Sequence, residues 1–293
     1  MKDVSIIIVN YNTSVLIRNL MKTIEEKTEG ISYEVIVVDN NPTEQFAIDL
    51  KDYLDKIIYL PLKENVGVGR ANNEGLKVAK GRNIFFLNPD TLLINNAIKI
   101  LSDYLDANEN VGVCGGNLYD VSMNPTHSFI PMLPSPIWDL NNLLANIIFK
   151  LFYGKNIQYN FTEKPLKVGY VTGADMMVRR SVLDEVGSFD SDFFMYYEET
   201  ELSYRIKKAK FDIISLPEAK IIHLEGKSIS TNSRREGLKS TSKKLYYQKT
   251  QSMFAYYCSN ILAYANAVLR IIYAKFRRDK EQQEYWSIIK DNL

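Results

Sequence analysis

Histidine and cysteine are scarce in this sequence of 293 residues, which contains two of each. Cys114 and Cys258 lie far apart and have neither the spacing of a zinc site nor the number needed for a disulfide framework. An excess of charge of one sign is also absent, because 36 Lys and Arg residues are balanced by 35 Asp and Glu residues. Proteins that bind nucleic acid usually carry a strongly basic domain, so we expect no nucleic-acid partner.

Long apolar stretches are absent as well. No run reaches the roughly 18 uninterrupted apolar residues that a simple membrane-spanning helix needs. A signal peptide is not visible either, since Lys2 and Asp3 lead directly into the apolar residues 4–9. We therefore expect a cytoplasmic protein, with any membrane contact peripheral and at the inner face of the cell membrane.

What is present is a regular alternation of strand and helix patterns. The strand-like runs, which are short and rich in apolar and β-branched residues, are residues 4–9, 33–38, 57–60 and 83–87. Strands of nearly continuous apolar character are typical of a parallel sheet covered on both faces. We therefore predict an α/β fold with a mostly parallel, doubly wound central sheet. Ligands bind such sheets beyond the carboxyl ends of the strands, where Asp39 and Asp90 lie.

Two later segments depart from this alternation. Residues 120–165 contain five of the nine prolines and many aromatic residues, and we interpret them as an insertion that faces an acceptor or a membrane. From about residue 242 the pattern is helical, with dense aromatic and aliphatic residues over 245–276 and a basic end. This part fits either a helix pair on a membrane surface or a helical hairpin that packs on the domain or on another subunit.

Two polar stretches follow strands in the first half of the chain. The carboxylate of Asp39 can accept hydrogen bonds from a ribose or a nucleobase, although Asp at such a place also forms ordinary turns. In the stretch with Asn65, Gly67, Arg70 and Asn73, glycine lets the backbone approach a ligand and a helix start favours an anion. This stretch is neither a Walker loop nor a dinucleotide fingerprint, and a tight turn would equally explain its glycines.

The fourth strand ends in the sequence Asn88-Pro89-Asp90. Mg²⁺ and Mn²⁺ prefer oxygen ligands and take several of them from substrate phosphates, so one carboxylate at a strand end can anchor such an ion. The same residues also form a good turn. His223, after a later apolar run, is either a metal ligand or a hydrogen-bonded structural residue, whereas His127 lies in the proline-rich segment without such a context.

An acidic cluster follows an aromatic run near residue 195. Glu198, Glu199 and Glu201 fit the first turn of a helix, where acidic side chains interact favourably with the helix dipole. Glu199, next to aromatic residues, can also have a raised pKa, which suits a general base. The residues alone leave both interpretations open.

The order of these features carries more information than any one of them. They are residues 4–12, 37–41, 65–73, 87–90, 173–174 and 197–202, followed by His223, Gly226 and Ser228. In this order they resemble family 2 glycosyltransferases of the GT-A fold, and most closely the rhamnosyltransferase-like branch of bacterial polysaccharide biosynthesis. The resemblance covers roughly residues 4–230, and the C-terminal helices add no specific signal to it.

The resemblance implies a GT-A domain, which we expect at residues 1–240, and the helical pattern predicts a C-terminal extension at 241–293. Within the domain, residues 1–115 would bind the nucleotide-sugar and residues 116–240 the acceptor. The implied reaction is an inverting transfer from a nucleoside diphosphate sugar, such as dTDP-rhamnose or a UDP-sugar, to a hydroxyl of a glycan or polyprenyl-linked acceptor. The extension would contact a membrane or a second copy of the chain.

The resemblance also implies roles for individual residues. The residues expected to contact the nucleotide-sugar are Asn10, Asn12, Asp39, Asn65, Gly67, Arg70, Asn73, Asn88 and Asp90. A divalent ion, Mg²⁺ or Mn²⁺, would be held by Asp90 and His223, although Asn88 stands where relatives have a first carboxylate. Glu199 matches the general base, which is more often Asp in relatives. Lining of the acceptor or donor-sugar pocket is expected from Trp138, Gly173, Asp175 and Glu198.

Two other classes of protein compete with this interpretation. One is a catalytically idle member that binds a nucleotide-sugar and acts as a scaffold in polysaccharide assembly, against which Asp90, Glu199 and His223 argue. The other is a sugar-nucleotide pyrophosphorylase, which would normally have a glycine-rich, basic loop directly after the first strand. The sequence Asn10-Tyr11-Asn12-Thr13 has no such loop.

Overall fold

The computed structural model describes residues 2–224 and 233–293. Its strands are β1 (Lys2–Asn10), β2 (Tyr33–Asp39), β3 (Ile57–Pro61), β4 (Gly81–Leu87), β5 (Thr91–Leu93), β6 (Val111–Tyr119), β7 (Phe129–Ile130), β8 (Leu166–Lys167), β9 (Tyr170–Val171), β10 (Asp175–Arg179) and β11 (Asp212–His223). Its helices are α1 (Ser14–Lys27), α2 (Glu44–Asp49), α3 (Val68–Val78), α4 (Ala97–Ala107), α5 (Pro136–Leu143), α6 (Ile147–Tyr153), α7 (Arg180–Val186), α8 (Glu198–Lys208), α9 (Ser233–Thr250), α10 (Met253–Phe276) and α11 (Lys280–Asp291).

The central sheet has the strand order β3-β2-β1-β4-β10-β6-β11-β5, and β8 pairs with β11 beside this path. Strands β3, β2, β1 and β4 are parallel to one another, as are β6 and β11. Strand β10 is antiparallel to both of its neighbours, β4 and β6, and β5 is antiparallel to β11. The predicted mostly parallel sheet is therefore confirmed, with β10 as a reversed strand at its centre.

Alternating side chains of the central strands enter two different cores. Ile6 and Ile8 of β1 pack with residues of α1 and α4, whereas Ile7 packs on the other face with residues of α3, α7 and α8. Both faces of the sheet are therefore covered by helices, which explains why its strands are apolar on both sides.

The C-terminal helices pack on the insertion and on the domain. Helix α9 begins at Ser233, so the domain boundary expected at residue 241 falls inside this helix. The first residues of α9 are mostly polar, and their sequence shows no helical spacing of apolar residues. Phe193 of the domain is buried in a small core with Tyr246, Tyr247 and Tyr256. Helix α10 packs against α5 of the insertion and α11 packs on α10. Within the described ranges, no helix combines the length and apolar character needed to cross a membrane.

Candidate active site

Most of the residues predicted for the site lie at one edge of the sheet. The carboxyl ends of the parallel strands β2, β1, β4 and β11 meet there, because parallel strands point the same way. Asp39 and Asn10 are the last residues of β2 and β1 and are paired in register. Asn88 follows β4, and His223 ends β11. The reversed strand β10 begins at this same edge, which brings Gly173 to it.

Asp39 is fully buried, and its carboxylate accepts three hydrogen bonds. The Asn10 side chain donates to Oδ1 at 2.8 Å, the Asn41 backbone N–H donates to the same atom, and the Tyr59 hydroxyl donates to Oδ2 at 2.9 Å. These bonds join the ends of β1, β2 and β3. The contact of Asp39 with a nucleoside stays a prediction. Asn12, in a left-handed conformation, accepts a hydrogen bond from the Asn41 side chain.

Gly67 connects the predicted nucleotide loop to the loop before α8. Its φ of +88° and ψ of 170° lie in a region that glycine adopts almost alone. A Cβ at this position would lie 2.3 Å from the carbonyl oxygen of Phe194. The close approach lets the Val68 N–H donate to that oxygen at 3.0 Å. Asn65 stabilises the turn by accepting a hydrogen bond from the Gly67 N–H.

Arg70 and Asn73 in α3 also contact the segment before α8. The Arg70 guanidinium donates to the carbonyl of Ser191 at 2.6 Å. The Asn73 amide donates to the carbonyl of Phe189 at 2.7 Å and accepts from the N–H of the same residue. Both side chains therefore fasten residues 189–191 to α3, and their expected contact with a nucleotide stays a prediction.

Asp90 and His223 are brought together by the pairing of β5 with β11. Thr91 is in register with His223, and the Leu224 N–H donates to the carbonyl of Asp90 at 2.9 Å. As a result His223 Nε2 lies 3.4 Å from Asp90 Oδ1. Adjacent ligand atoms that bind one Mg²⁺ or Mn²⁺ at about 2.1 Å lie about 3 Å apart, so this pair fits a divalent ion.

The pair alone does not complete a metal site. In residues 2–224 and 233–293, no group of three His, Cys, Asp or Glu side chains is arranged to hold an ion. Asn88 supplies no carboxylate, so further ligands would come from water and the donor diphosphate, as is usual for Mg²⁺. Gly226 and Ser228, which belong to the sequence motif of His223, lie outside the described residues.

Glu198 and Glu199 are the first two residues of α8. The two residues before them, Tyr196 and Tyr197, both have φ near +68° (68° and 67°), a conformation that is costly for large side chains. Burial raises the pKa of Glu199, which is half-buried. The pKa of Glu198 is also raised, first by its burial and then by the charge of Glu199. Among the described residues, Glu198 Oε2 finds no hydrogen-bond partner, so no hydrogen bond to this atom stabilises the ionised carboxylate.

Gly173 and Ala174 connect the end of β4 with Glu199. The carbonyl of Ala174 accepts a hydrogen bond from the Asn88 N–H at 2.9 Å. A Cβ at residue 173 would lie 3.8 Å from Cβ and Cγ of Glu199. The expected base therefore lies next to the segment that holds the strand end leading to Asp90.

Two further residues were expected to line the sugar pocket. Asp175 is fully buried in β10, and its Oδ2 accepts a hydrogen bond from the Gly116 N–H at 2.6 Å. In this position it supports the sheet, and its contact with a sugar stays a prediction. Trp138 is half-buried on α5, and its contact with a sugar stays a prediction.

Two features of the site gave no usable signal in the sequence. The first is the support of the loop before α8 by α9: the Ser242 hydroxyl donates to the Met195 carbonyl at 2.7 Å, and the Tyr246 and Tyr197 rings are 5.5 Å apart. The second is His127. Its pKa is lowered to about 4, mainly by burial and in smaller part by the nearby imidazole of His223.

The sequence of the chain matches a known protein family. Residues 5–187 match the family model described as glycosyl transferase family 2. Because the match covers more than half of the chain, the protein belongs to family 2 of the glycosyltransferases and is an enzyme of that class. The predicted family is therefore confirmed, and a sugar-nucleotide pyrophosphorylase is excluded.

Among curated proteins, the chain is similar to a dTDP-rhamnosyl transferase, RfbF, of Shigella flexneri, with 29% identity over 75% of this chain and 68% of that protein. It is 28% identical to the hexosyltransferase Agl10 of low-salt glycan biosynthesis in Haloferax volcanii, over 72% of this chain and 64% of that protein. A rhamnosyltransferase of Mycobacterium tuberculosis, described as acting on N-acetylglucosaminyl-diphospho-decaprenol, is 39% identical over 21% of the chain. The names of two of these relatives support the predicted rhamnosyltransferase-like branch.

Solved structures confirm the GT-A fold. The mannosyltransferase PcManGT of Pyrobaculum calidifontis, solved with GDP-Man and Mn²⁺, aligns with a TM-score of 0.62 over 99% of this chain and 87% of that chain. GalNAc-T7, solved with UDP, GalNAc and Mn²⁺, aligns with a TM-score of 0.59 over 85% of this chain and 48% of that chain. Sequence identities of 14% and 15% limit both comparisons to the fold.

Proposed function

We propose that this enzyme transfers a hexose from a nucleoside diphosphate sugar to a hydroxyl of a glycan or polyprenyl-linked acceptor, with inversion at the anomeric carbon. The reaction would serve the synthesis of a cell-surface polysaccharide. The observation that carries the proposal is the position of Glu199. Glu199 lies in the first turn of α8, and burial raises its pKa. It lies beside Gly173, and the next residue, Ala174, accepts a hydrogen bond from Asn88 at the end of the strand that leads to Asp90.

Glu199 acts as the general base. It takes the proton from the acceptor hydroxyl while the hydroxyl oxygen bonds to the anomeric carbon from the face opposite the diphosphate. The bond between that carbon and the diphosphate oxygen breaks, and its electron pair leaves with the nucleoside diphosphate. A raised pKa brings the base closer to the pKa that favours proton transfer near neutral pH. One base suffices, whereas a glycosidase needs two opposed carboxylates.

Asp90 and His223 would hold Mg²⁺ or Mn²⁺ against the donor diphosphate. The ion would supply positive charge that stabilises the departing diphosphate. The oxygen and nitrogen donors at 3.4 Å support this role, as does the need for diphosphate oxygens to complete the coordination. The Mn²⁺ complexes of the two structural neighbours support a divalent ion in the same way.

The donor we favour is dTDP-rhamnose, with a UDP-sugar as the alternative. The names of two relatives, a dTDP-rhamnosyl transferase and a rhamnosyltransferase with a decaprenol-linked acceptor, support both the donor and the lipid-linked acceptor. Asp39, Asn10 and Asn12 would contact the nucleoside at the ends of β1 and β2. A competing function is a scaffold that binds the nucleotide-sugar without transferring it.

The substitution Glu199→Gln tests the proposal. It keeps the shape of the side chain but removes the base, so release of nucleoside diphosphate in the presence of acceptor should fall by about 10²–10⁴-fold. The thermal shift caused by donor and Mn²⁺ should not change. Glu26→Gln, at an exposed site on α1, is the matched control and should behave as the wild type.

Two results would contradict the proposal. Equal turnover by the wild type and Glu199→Gln would remove Glu199 as the base. Binding of a donor without any release of nucleoside diphosphate by the wild type, for every donor and acceptor offered, would favour the scaffold.

A further inference from the structure

Helix α10 is fixed to the protein by one of its faces. Tyr256, Ser259, Ala267 and Ala274 are buried on this inner face. The Tyr247 hydroxyl donates to the Ser259 hydroxyl at 3.0 Å, and the Ser259 hydroxyl in turn donates to the carboxylate of Asp139 on α5. The opposite face of the helix is therefore held in a defined direction, away from the domain.

The opposite face, here called the outer face of α10, is apolar and exposed. Its large side chains are Phe254, Tyr257, Ile261, Tyr264, Leu269, Ile272, Tyr273 and Phe276. The two end residues, Phe254 and Phe276, are 78% and 88% exposed. Because a helix rises 1.5 Å per residue, the 24 residues of α10 form an apolar strip about 36 Å long. Exposed apolar surface of this extent marks an interaction site.

The charges along the strip itself are of one sign, because residues 253–276 contain no Asp or Glu. A basic cluster, Lys275, Arg277, Arg278 and Lys280, lies at the end of the helix, with Asp279 as the one acidic residue among its members. Helix α6, which packs near α5, repeats the pattern on a smaller scale. Its exposed residues are Ile147, Lys150, Leu151 and Phe152. Both helices thus combine exposed apolar side chains with positive charge.

We propose that the outer face of α10 binds the surface of a bilayer that contains anionic phospholipids, with the helix lying parallel to that surface. Aromatic and aliphatic residues on one side and basic residues at the end are the features of interfacial helices. A second copy of the strip fits less well, because the strip offers no acidic side chain to the basic cluster. The inference goes beyond the proposed transfer reaction and does not depend on it.

Vesicle flotation of the full-length protein tests this inference. Vesicles of phosphatidylcholine alone are compared with vesicles that also contain phosphatidylglycerol. The wild type should float with the anionic vesicles and bind the neutral ones more weakly. The double variant Ile261→Asn/Ile272→Asn should lose roughly tenfold or more of this binding, because two large apolar side chains no longer enter the interface. Both side chains are exposed, so the melting temperature should stay that of the wild type.

The matched control is Ile48→Asn on α2, since Ile48 is 62% exposed and Ile261 is 68% exposed. This variant should float like the wild type. Arg277→Gln/Arg278→Gln should reduce the preference for anionic over neutral vesicles. The inference is overturned if the wild type floats with neither kind of vesicle, or if the Ile261→Asn/Ile272→Asn protein floats equally well. A wild-type dimer that this double variant abolishes, without lipid binding by either protein, would instead assign the strip to a second copy.

Discussion

Ser242 of α9 donates a hydrogen bond of 2.7 Å to the backbone carbonyl of Met195, 47 residues earlier in the chain. Met195 is followed by the two tyrosines in left-handed conformation and then by Glu198 and Glu199. Lys249, further along α9, forms ion pairs of 2.7 Å with both Asp190 and Asp192. The C-terminal helix therefore holds the loop that presents the proposed base, although it lies outside the residues that match the family model.

The substitution Ser242→Ala should lower kcat with little change in KM for the donor. Loss of the hydroxyl leaves the Met195 carbonyl without this partner, which costs about 1–3 kcal/mol if it stays buried. The loop before Glu199 should then be held less firmly, whereas the donor-binding strand ends are unaffected. Steady-state kinetics measures kcat and the KM for the donor separately. Thr241→Ala is the matched control, because the Thr241 hydroxyl is exposed and donates within α9, to Gly237. An equal loss in both variants would refute the positioning role of Ser242.

Gly67→Ala should destabilise the protein more than Gly154→Ala. Both glycines have positive φ, 88° and 61°. At Gly67 the added Cβ would also meet the Phe194 oxygen at 2.3 Å, whereas no atom lies within 4 Å of one at Gly154. The backbone strain alone costs about 1–3 kcal/mol, and the clash adds to it. Denaturant unfolding measures the free energy of unfolding of both variants. Equal losses of stability would show that the contact of Gly67 with Phe194 is not tight.

Glu198→Gln should gain stability over the wild type as the pH rises. Because the folded-state pKa of Glu198 is raised, its stabilising contribution is complete below the ordinary pKa of glutamate and is lost as pH rises through the raised pKa. The effect is about 1.4 kcal/mol for each pH unit between the two pKa values. Melting temperatures from about pH 5 to about pH 9 measure it. Glu64→Gln, on the surface, should not change the pH dependence of the melting temperature. The same change in both variants would contradict the raised pKa of Glu198.

His223→Ala should weaken binding of Mn²⁺ in the presence of nucleoside diphosphate. Loss of a residue that only supports a metal ligand typically lowers metal affinity by about tenfold or more. Removal of one of the two proposed protein ligands should therefore lower the affinity for Mn²⁺ by at least about tenfold. The measurement is the metal concentration at half of the maximal thermal shift. His127→Gln, which removes the other histidine of the chain, is measured for comparison, and Glu26→Gln, an exposed carboxylate on α1, is the control. A larger effect of His127→Gln than of His223→Ala would place the ion elsewhere.

The alternation of apolar runs and helical patterns was enough to predict the parallel half of the sheet. The same pattern could not show that β10 runs backwards, because a buried strand is apolar in either direction. The reversal places Asp175, the first residue of β10, beside the end of β4, where its carboxylate accepts a hydrogen bond from the Gly116 N–H.

The support of the base loop could not be predicted either. Contacts such as those of Ser242 with Met195 and of Arg70 with Ser191 join residues that are distant in sequence and carry no periodic signal. The left-handed pair Tyr196 and Tyr197 lacks the glycine or asparagine that usually marks such a conformation. The packing around them, rather than their own preference, imposes it.

The pairing of β5 with β11 has a consequence for folding during synthesis on the ribosome. Asp90 is synthesised long before His223, and the two approach each other only when β11 takes its place between β6 and β5. A nascent chain that stops short of β11 therefore contains Asp90 but not the histidine that faces it. The proposed ion site is thus acquired only after residue 223 has been synthesised, long after the strands β1 to β4 that form the first part of the sheet.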